Sequence, residues 1–569
     1  MTRQSEKRTC QNCKHEFVIE PDDFSFYEKI KVPAPTFCPQ CRFQRRLAFF
    51  NLVNLYKRKC DLCKKEVISM YSPEAPYRVY CPSCWWSDKW DPFAYGRDYD
   101  FSRPFFEQLN AFLHEVPLLG LAIDFQAAKN SPYNNYGGDI KNSYLTFHVG
   151  FNEDCAYGIE ILHCRNVLDC SITNACELCY DCMNSFKNSR CIGLRNQVYE
   201  SLDCAFLRDS SNCQNCFASA NLRGKKYHIF NKPYSKEDYF KEIKQWDLGS
   251  YKTYQEIKKR AEEHWKNFPA KPEYRDFSVR STGSCVFGSK NCIECYEVVG
   301  AENSKYIFMA SYPPVRDCYD ISSWGDDMEL SYECLTSGDA YGLKFSYGCA
   351  EGVRDSEYSF LLVSGSNLFG CVSLRNTEYA IFNKRYSQKS FGELRTKIIQ
   401  HMNESPYVDK KGKVYRYGEF FPIELSSFAY NETVAQKFFQ LTKEKVLENG
   451  YRWRNGEKTK YEITKKADDL PDHIKDAPTD IIKEVIGCSN CGRGFKIIKM
   501  ELDFLRRMNL PLPRECPFCR IDKKFDRWVK NLTLVKRTCD TCGVEFETPH
   551  TKEDSGRILC RKCWLQEVV

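Results

Sequence analysis

The chain has 569 residues, 42% hydrophobic and 15% aromatic, with 83 Lys and Arg against 76 Asp and Glu and a net charge of +7. It is too long for one core and too rich in apolar and aromatic side chains for disorder, so three or more domains are expected. The start, "MTRQSEKRTC", has no apolar export segment and no run approaches the about 18 apolar residues of a membrane span, so the chain is read as soluble and cytoplasmic.

A reducing compartment keeps no disulfide framework, which leaves metal binding as the ready explanation for 33 cysteines. Residues 1–100 hold the first eight: Cys10, Cys13, Cys38 and Cys41, then Cys60, Cys63, Cys81 and Cys84. Each four form a CxxC…CxxC unit, with 24 residues inside the first, 17 inside the second and 18 between them. The aromatic stretch "WWSDKWDPFAYGRDYDF" (85–101) reads as a packed seam between modules, with a docking surface as the alternative. Residues 101–140 form a helical connector, whose "RPFFEQLNAFLHEV" has an amphipathic pattern.

From 141 to 235 the pattern becomes short apolar–polar alternation broken by Asn, Ser, Gly and Asp, as in "NSYLTFHV" and "CAYGIEIL". Residues 236–278 return to a helical pattern, and 279–388 resume the short strands. The two strand-rich parts are related, since 203–235 matches 355–387 without a gap, down to the shared IFNK run. Many short strands on a long chain predict a β-solenoid, or parallel β-helix, in two halves, with an antiparallel sandwich as the alternative. A coil of about 22 residues is expected, but cysteine spacings near that length occur no more often than chance predicts. The helical segments at 235–246, 251–268 and 387–402 most simply cover solenoid sides or ends. Residues 389–482 form a helical segment and linker, with a helix from Asn431 to Gly450 and "KKADDLPDHIKDAPTD" as the linker itself.

Residues 483–569 repeat the beginning with Cys488, Cys491, Cys516 and Cys519, then Cys539, Cys542, Cys560 and Cys563. The internal loops are again 24 and 17 residues and the bridge is 19. Two CxxC turns close a tetrahedron of four thiolates around zinc, leaving no position for water or substrate, so four structural zinc ions are expected. A rubredoxin-like iron site uses similar pairs, and plain packing of reduced cysteines is the bland alternative. Seventeen cysteines remain in the middle, among them the CxxCxxC of Cys176, Cys179 and Cys182. The repeat exchanges Cys204 for Ser356, Cys213 for Gly365 and Cys216 for Leu368, which favours core packing over an iron–sulfur cluster or further zinc.

The first unit of each pair, "CQNCKHEFVIEPDDFSFYEKIKVPAPTFCPQCR" and "CSNCGRGFKIIKMELDFLRRMNLPLPRECPFCR", resembles the zinc-ribbon, treble-clef family of small bacterial proteins. The shared features are an aromatic after the first knuckle (Phe17, Phe495), an aromatic stretch (Phe26 and Tyr27, Phe504), prolines (Pro33 and Pro35, Pro511 and Pro513) and a CPxCR ending. The resemblance implies zinc binding and the fold, with no activity. The whole chain also resembles large uncharacterised proteins of uncultured bacteria that join such ribbons to a cysteine-rich middle.

In a treble clef the second knuckle opens a helix, which would place Arg42, Arg45 and Arg46 on one face, and likewise Arg520, Lys523, Lys524 and Arg527. Such a face can follow phosphates, so these residues are the candidate nucleic-acid contacts. Four zinc sites with four thiolates each carry −8 in formal charge, however. Residues 1–100 sum to +4 (17 basic, 13 acidic) and 483–569 to +6 (18 basic, 12 acidic), so the basic residues are read mainly as balancing thiolate charge.

No P-loop, HExxH, GxSxG or dinucleotide fingerprint is present. His148 and His163 fall in strands, where a packed imidazole is ordinary. A β-helix carbohydrate-active enzyme would draw on Asp317, Asp320 and Asp326 or Asp327, and this is the enzymatic alternative. The reading is a mainly β, multidomain, zinc-binding scaffold: tandem four-cysteine ribbons at both termini flank a two-part β-solenoid-like body with helical insertions. Its partner is macromolecular, a protein being favoured and nucleic acid the alternative, with no membrane.

Overall fold

The computed structural model describes residues 4–124, 126–310, 314–456 and 461–568. The chain forms two compact units, each discontinuous in sequence. One comprises residues 1–121 and 274–455, and the other 122–273 and 456–569. The N-terminal modules therefore belong with the second solenoid half, and the C-terminal modules with the first.

Each solenoid half is built from parallel strands, which excludes the antiparallel sandwich. Pairings such as Arg165↔Glu177, Gln214↔Lys226, Gly283↔Cys295 and Val363↔Arg375 set the coil at 12 residues, not the expected 22. A few coils are longer, as Ser185↔Val198 and Phe308↔Ser322 show. The reason lies in the corners. Every third residue is left-handed, as at Tyr157, Glu160, His163, Asn166 and Asp169, with φ between 52° and 62°. Four three-residue sides then close one coil. Holding L-residues there costs roughly 1–2 kcal/mol apiece, and the inter-coil hydrogen bonds offset it.

A three-residue side points one side chain inward, so the interior is narrow and selects Cys, Ser, Val and Leu. The inward residues also satisfy backbone groups. Cys164 Sγ accepts from the Cys176 N–H at 3.4 Å, and Ser356 Oγ accepts from Leu368 N–H at 3.2 Å. The exchange of Cys204 for Ser356 between the halves thus keeps one role. All seventeen central cysteines are buried and free of disulfides. Each half ends in an antiparallel hairpin, Lys226–Ile229 with Lys232–Pro233 and Arg375–Ile381 with Lys384–Arg385. The IFNK run is its turn: Phe230 and Asn231, like Phe382 and Asn383, are left-handed, as a two-residue type I′ turn requires.

The helices Phe105–Glu115, Lys236–Ile243, Tyr251–Trp265 and Gln388–Glu404 lie where the pattern places them. Tyr254 packs on Phe206 and Phe391 on Tyr379, so two of them cover solenoid sides. The helix expected from Asn431 to Gly450 is instead three short turns, Tyr430–Glu432, Ala435–Phe438 and Lys443–Glu448. Phe438 and Phe439 turn in against Phe43, and Thr442 caps a fresh start at Lys445 N–H. Gly450, at φ 79°, does end it. The expected linker is a packed strap that buries Ala467, Leu470, Ile474, Ala477 and Ile481.

Candidate metal centres

The four cysteine sets assemble as their spacing predicts. Within each, the four sulfurs lie within 4.8 Å of one another. The separations are 3.7 Å for Cys13–Cys38, 3.8 Å for Cys488–Cys519 and Cys491–Cys516, and 3.7 Å for Cys542–Cys560. A tetrahedron with bonds of about 2.3 Å has an edge of about 3.8 Å. Among the described residues, no central cysteine joins a group of this kind.

Local chemistry builds each site. The first CxxC is a knuckle: Lys14 N–H donates to Cys10 O at 3.0 Å and Gly492 N–H to Cys488 O at 3.0 Å. The residue after each knuckle, Lys14, Lys64, Gly492 or Gly543, is left-handed, with φ from 61° to 73°. The second CxxC opens a helix, with Cys38, Cys81 and Cys516 as N-caps and proline next, so partial positive charge faces the thiolates. The sulfurs also accept hydrogen bonds: Asn12 to Cys41 at 3.2 Å and Asn490 to Cys519 at 3.3 Å, at matching places in the two units. Burial opposes ionisation of Cys60, yet the N–H groups of Cys81 and Cys63 bring its thiol down to about 7. Cys539 reaches about 6 in the same way.

The basic helix after Cys41 does have the expected shared face, but it points inward. Arg42, Arg45 and Arg46 are 1%, 1% and 0% exposed. Arg42 Nε donates to Asp320 Oδ2 at 3.0 Å, and Arg46 donates to Asp320 Oδ1 at 2.8 Å and Ser322 at 3.1 Å. Arg45 bridges Glu333 at 2.7 Å and Glu419 at 2.9 Å. Three guanidinium groups thus meet three carboxylates. The charge these arginines balance is that of two solenoid carboxylates and of Glu419 beyond the solenoid rather than of thiolates, and they have no free face for phosphate.

The other unit repeats the arrangement. Arg520 pairs with Asp169 and, at 2.8 Å, with Glu501, while Lys524 meets Asp181 at 3.2 Å. Arg520 lies over Tyr157 at 4.6 Å, as Arg42 lies over Tyr306 at 5.2 Å. Tyr157, Asp169 and Asp181 occupy the same left-handed corner in successive coils, as Tyr306, Asp320 and Glu333 do. Asp181 also accepts from Arg195 and Lys258; although burial opposes it, these cations and Lys524 hold its carboxyl well below the usual range. Of the remaining candidates, Lys523 is an exposed partner of Glu515 and Arg527 sits 3.8 Å from Glu262.

The second four-cysteine modules dock through tryptophan. Trp85 and Trp564, each next after a fourth cysteine, lie under Arg375 (5.3 Å) and Arg223 (5.8 Å), the pair that the internal repeat aligns. Arg375 is also near Trp86 and Trp90, and Arg385 covers Phe93 at 3.9 Å, so the aromatic stretch is a seam against the solenoid. Three of the four aspartates suspected of carbohydrate chemistry are engaged: Asp320 as above, Asp317 with Lys29, and Asp326 with Trp324 Nε1. His163 stacks on Phe151 at 4.6 Å, and His148 pairs with Glu160.

Fold and sites together define a cysteine-rich parallel β-solenoid protein with four four-cysteine groups that could each hold a metal ion. No protein-family model matches the chain, and neither does any curated protein. Among solved structures it is similar to a protein provisionally described as an acetyltransferase from Desulfovibrio desulfuricans G20. That match has 10% identity, covers 52% of this chain and 86% of the other, and has a TM-score of 0.10, at which the likeness bears on neither fold nor activity. Among the described residues, no helix is long and apolar enough to cross a membrane.

Proposed function

We propose that the four centres hold zinc as a structural ion and that the protein is a scaffold for a macromolecular partner, a protein in the first instance. The observation that carries the zinc reading is the set of sulfur separations at tetrahedral-edge length, with all four positions filled by sulfur and none left for substrate. The structural role follows from the small modules around each centre, which have little core of their own. Seventeen buried central thiols suit a reducing compartment. The scaffold reading draws support from the repetitive solenoid surface, which offers a partner many equivalent corners. Metal analysis of the purified protein tests the first part: four zinc ions per chain are expected, and fewer than three, or a red iron chromophore, overturns it. Co-purification from native cells with and without nuclease tests the second. A protein that persists after nuclease supports it, and recovery that depends on nucleic acid overturns the protein preference.

A further inference from the structure

In all four sets the residue that follows the last cysteine leaves the metal site and enters the solenoid. These residues are Arg42, Trp85, Arg520 and Trp564, and they are 1%, 1%, 9% and 3% exposed. One peptide bond separates each from a cysteine of the set, so a backbone shift at either displaces the other. The coupling is tightest at the two arginines. The helix Pro39–Leu47 begins at Cys38, contains Cys41, and carries all three arginines that meet Asp320, Glu333 and Glu419. Nine residues are too few to hold a helix alone in water. Without the metal that pins its first turn, nothing local keeps those guanidinium groups in register with the carboxylates. The helix Pro517–Leu532, sixteen residues long, likewise begins at Cys516 and carries Arg520 to Asp169 and Lys524 to Asp181.

We infer that metal occupancy and docking of the terminal modules are one coupled equilibrium in each unit, a metal-gated clamp on the solenoid. Loaded modules cover the acidic corner of the coils. Empty modules release it, exposing Asp320 and Glu333 in one unit and Asp169 in the other, where Arg195 and Lys258 still cover Asp181. The inference rests on the four-thiolate zinc reading above, and it adds that solenoid residues far along the chain from every cysteine of the four sets govern how tightly the metal is held.

The test uses the full chain and the rate at which zinc passes to a colorimetric chelator. In Asp320→Asn, one zinc of the four should leave at least tenfold faster, because Arg42 and Arg46 lose their shared partner while every ligand is retained. Asp317→Asn, which alters only the exposed pair with Lys29, should release zinc at the native rate. Unchanged release from Asp320→Asn overturns the coupling. A second measurement needs no variant: hydrogen exchange of the native protein as chelator is added. Residues 39–47 and 517–532 should lose at least tenfold protection as zinc departs, while strands Gln214–Ala220 and Val363–Phe369 keep theirs. Zinc loss with those helices still protected overturns the clamp and leaves the zinc reading standing. A protein that purifies without metal yet protects them overturns both.

Discussion

The two units solve one docking problem with different charge inventories. Around Arg42, Arg45 and Arg46 the N-terminal modules present three cations to three carboxylates, each paired within about 3 Å. The C-terminal modules keep Arg520 but place lysines at the next two matching positions, and only Lys524 of these reaches an acid of the solenoid. That acid, Asp181, is shared with Arg195 from its own solenoid and Lys258 from the covering helix. Duplication preserved the corner that receives the module and let the supply of positive charge migrate. Where one element supplies every cation, losing one should be severe; where three elements share the load, it should be mild.

The largest effect should come from the matched pair Arg46→Met and Lys524→Met. The first leaves Asp320 and Glu333 short of a buried partner and should cost about 3–5 kcal/mol. The second leaves Asp181 with two cations and should cost about 1–2 kcal/mol. Urea unfolding of each variant, with exchange protection reporting which unit opens, checks the ratio; equal costs would remove the contrast.

Acid should separate the units next. His550 lies eight residues past Cys542, where the N-terminal module has Tyr71 eight past Cys63. Burial lowers the His550 imidazole to about 4. A pKa below that of the unfolded chain means the fold favours the neutral ring, so stability is complete above about pH 6.5 and declines as pH falls toward 4, by about 3 kcal/mol. His550→Gln should flatten that decline in the C-terminal unit and leave the other unit's pH profile unchanged, as urea midpoints between pH 7 and 4.5 would show.

A smaller contrast lies in the indoles. Trp85 Nε1 donates to Ser373 at 3.3 Å, whereas Trp564 Nε1 is buried with no hydrogen-bond partner among the described residues. Replacement by Phe should cost about 1 kcal/mol more at position 85 than at 564, read from thermal unfolding of each variant. Least of all should be Lys523→Ala, since that side chain is 58% exposed, and a shift within about 0.5 kcal/mol is expected.

Much of this was legible in the chain itself. The grouping of sixteen cysteines into four sets followed from loop lengths, because repeated CxxC pairs at matching separations constrain spacing more tightly than a core does. The common face of Arg42, Arg45 and Arg46 followed from helical period, but its direction did not. The carboxylates that fix it lie 274 to 288 residues further along in the solenoid, and 374 in the case of Glu419. The coil length was present yet diluted. Cys164 and Cys176, Cys170 and Cys182, Cys179 and Cys191, and Cys204 and Cys216 all lie 12 apart. The same columns also accept Ser, Val, Leu and Asn, so no single residue type shows the period clearly. The strap at 465–480 misled for another reason: its Asp, Lys and Pro content is that of a linker, and its few apolar residues carry the packing.

The crossed pairing of modules and solenoid halves has a consequence for synthesis. Arg42 leaves the ribosome 278 residues before Asp320 does. At about 5–20 residues per second that is a wait of roughly 14–56 s. The N-terminal modules must spend it complete but undocked, three arginines bare to a crowded, polyanion-rich cell. The C-terminal modules meet the reverse order: their corner is already formed when they emerge, and they can seat at once.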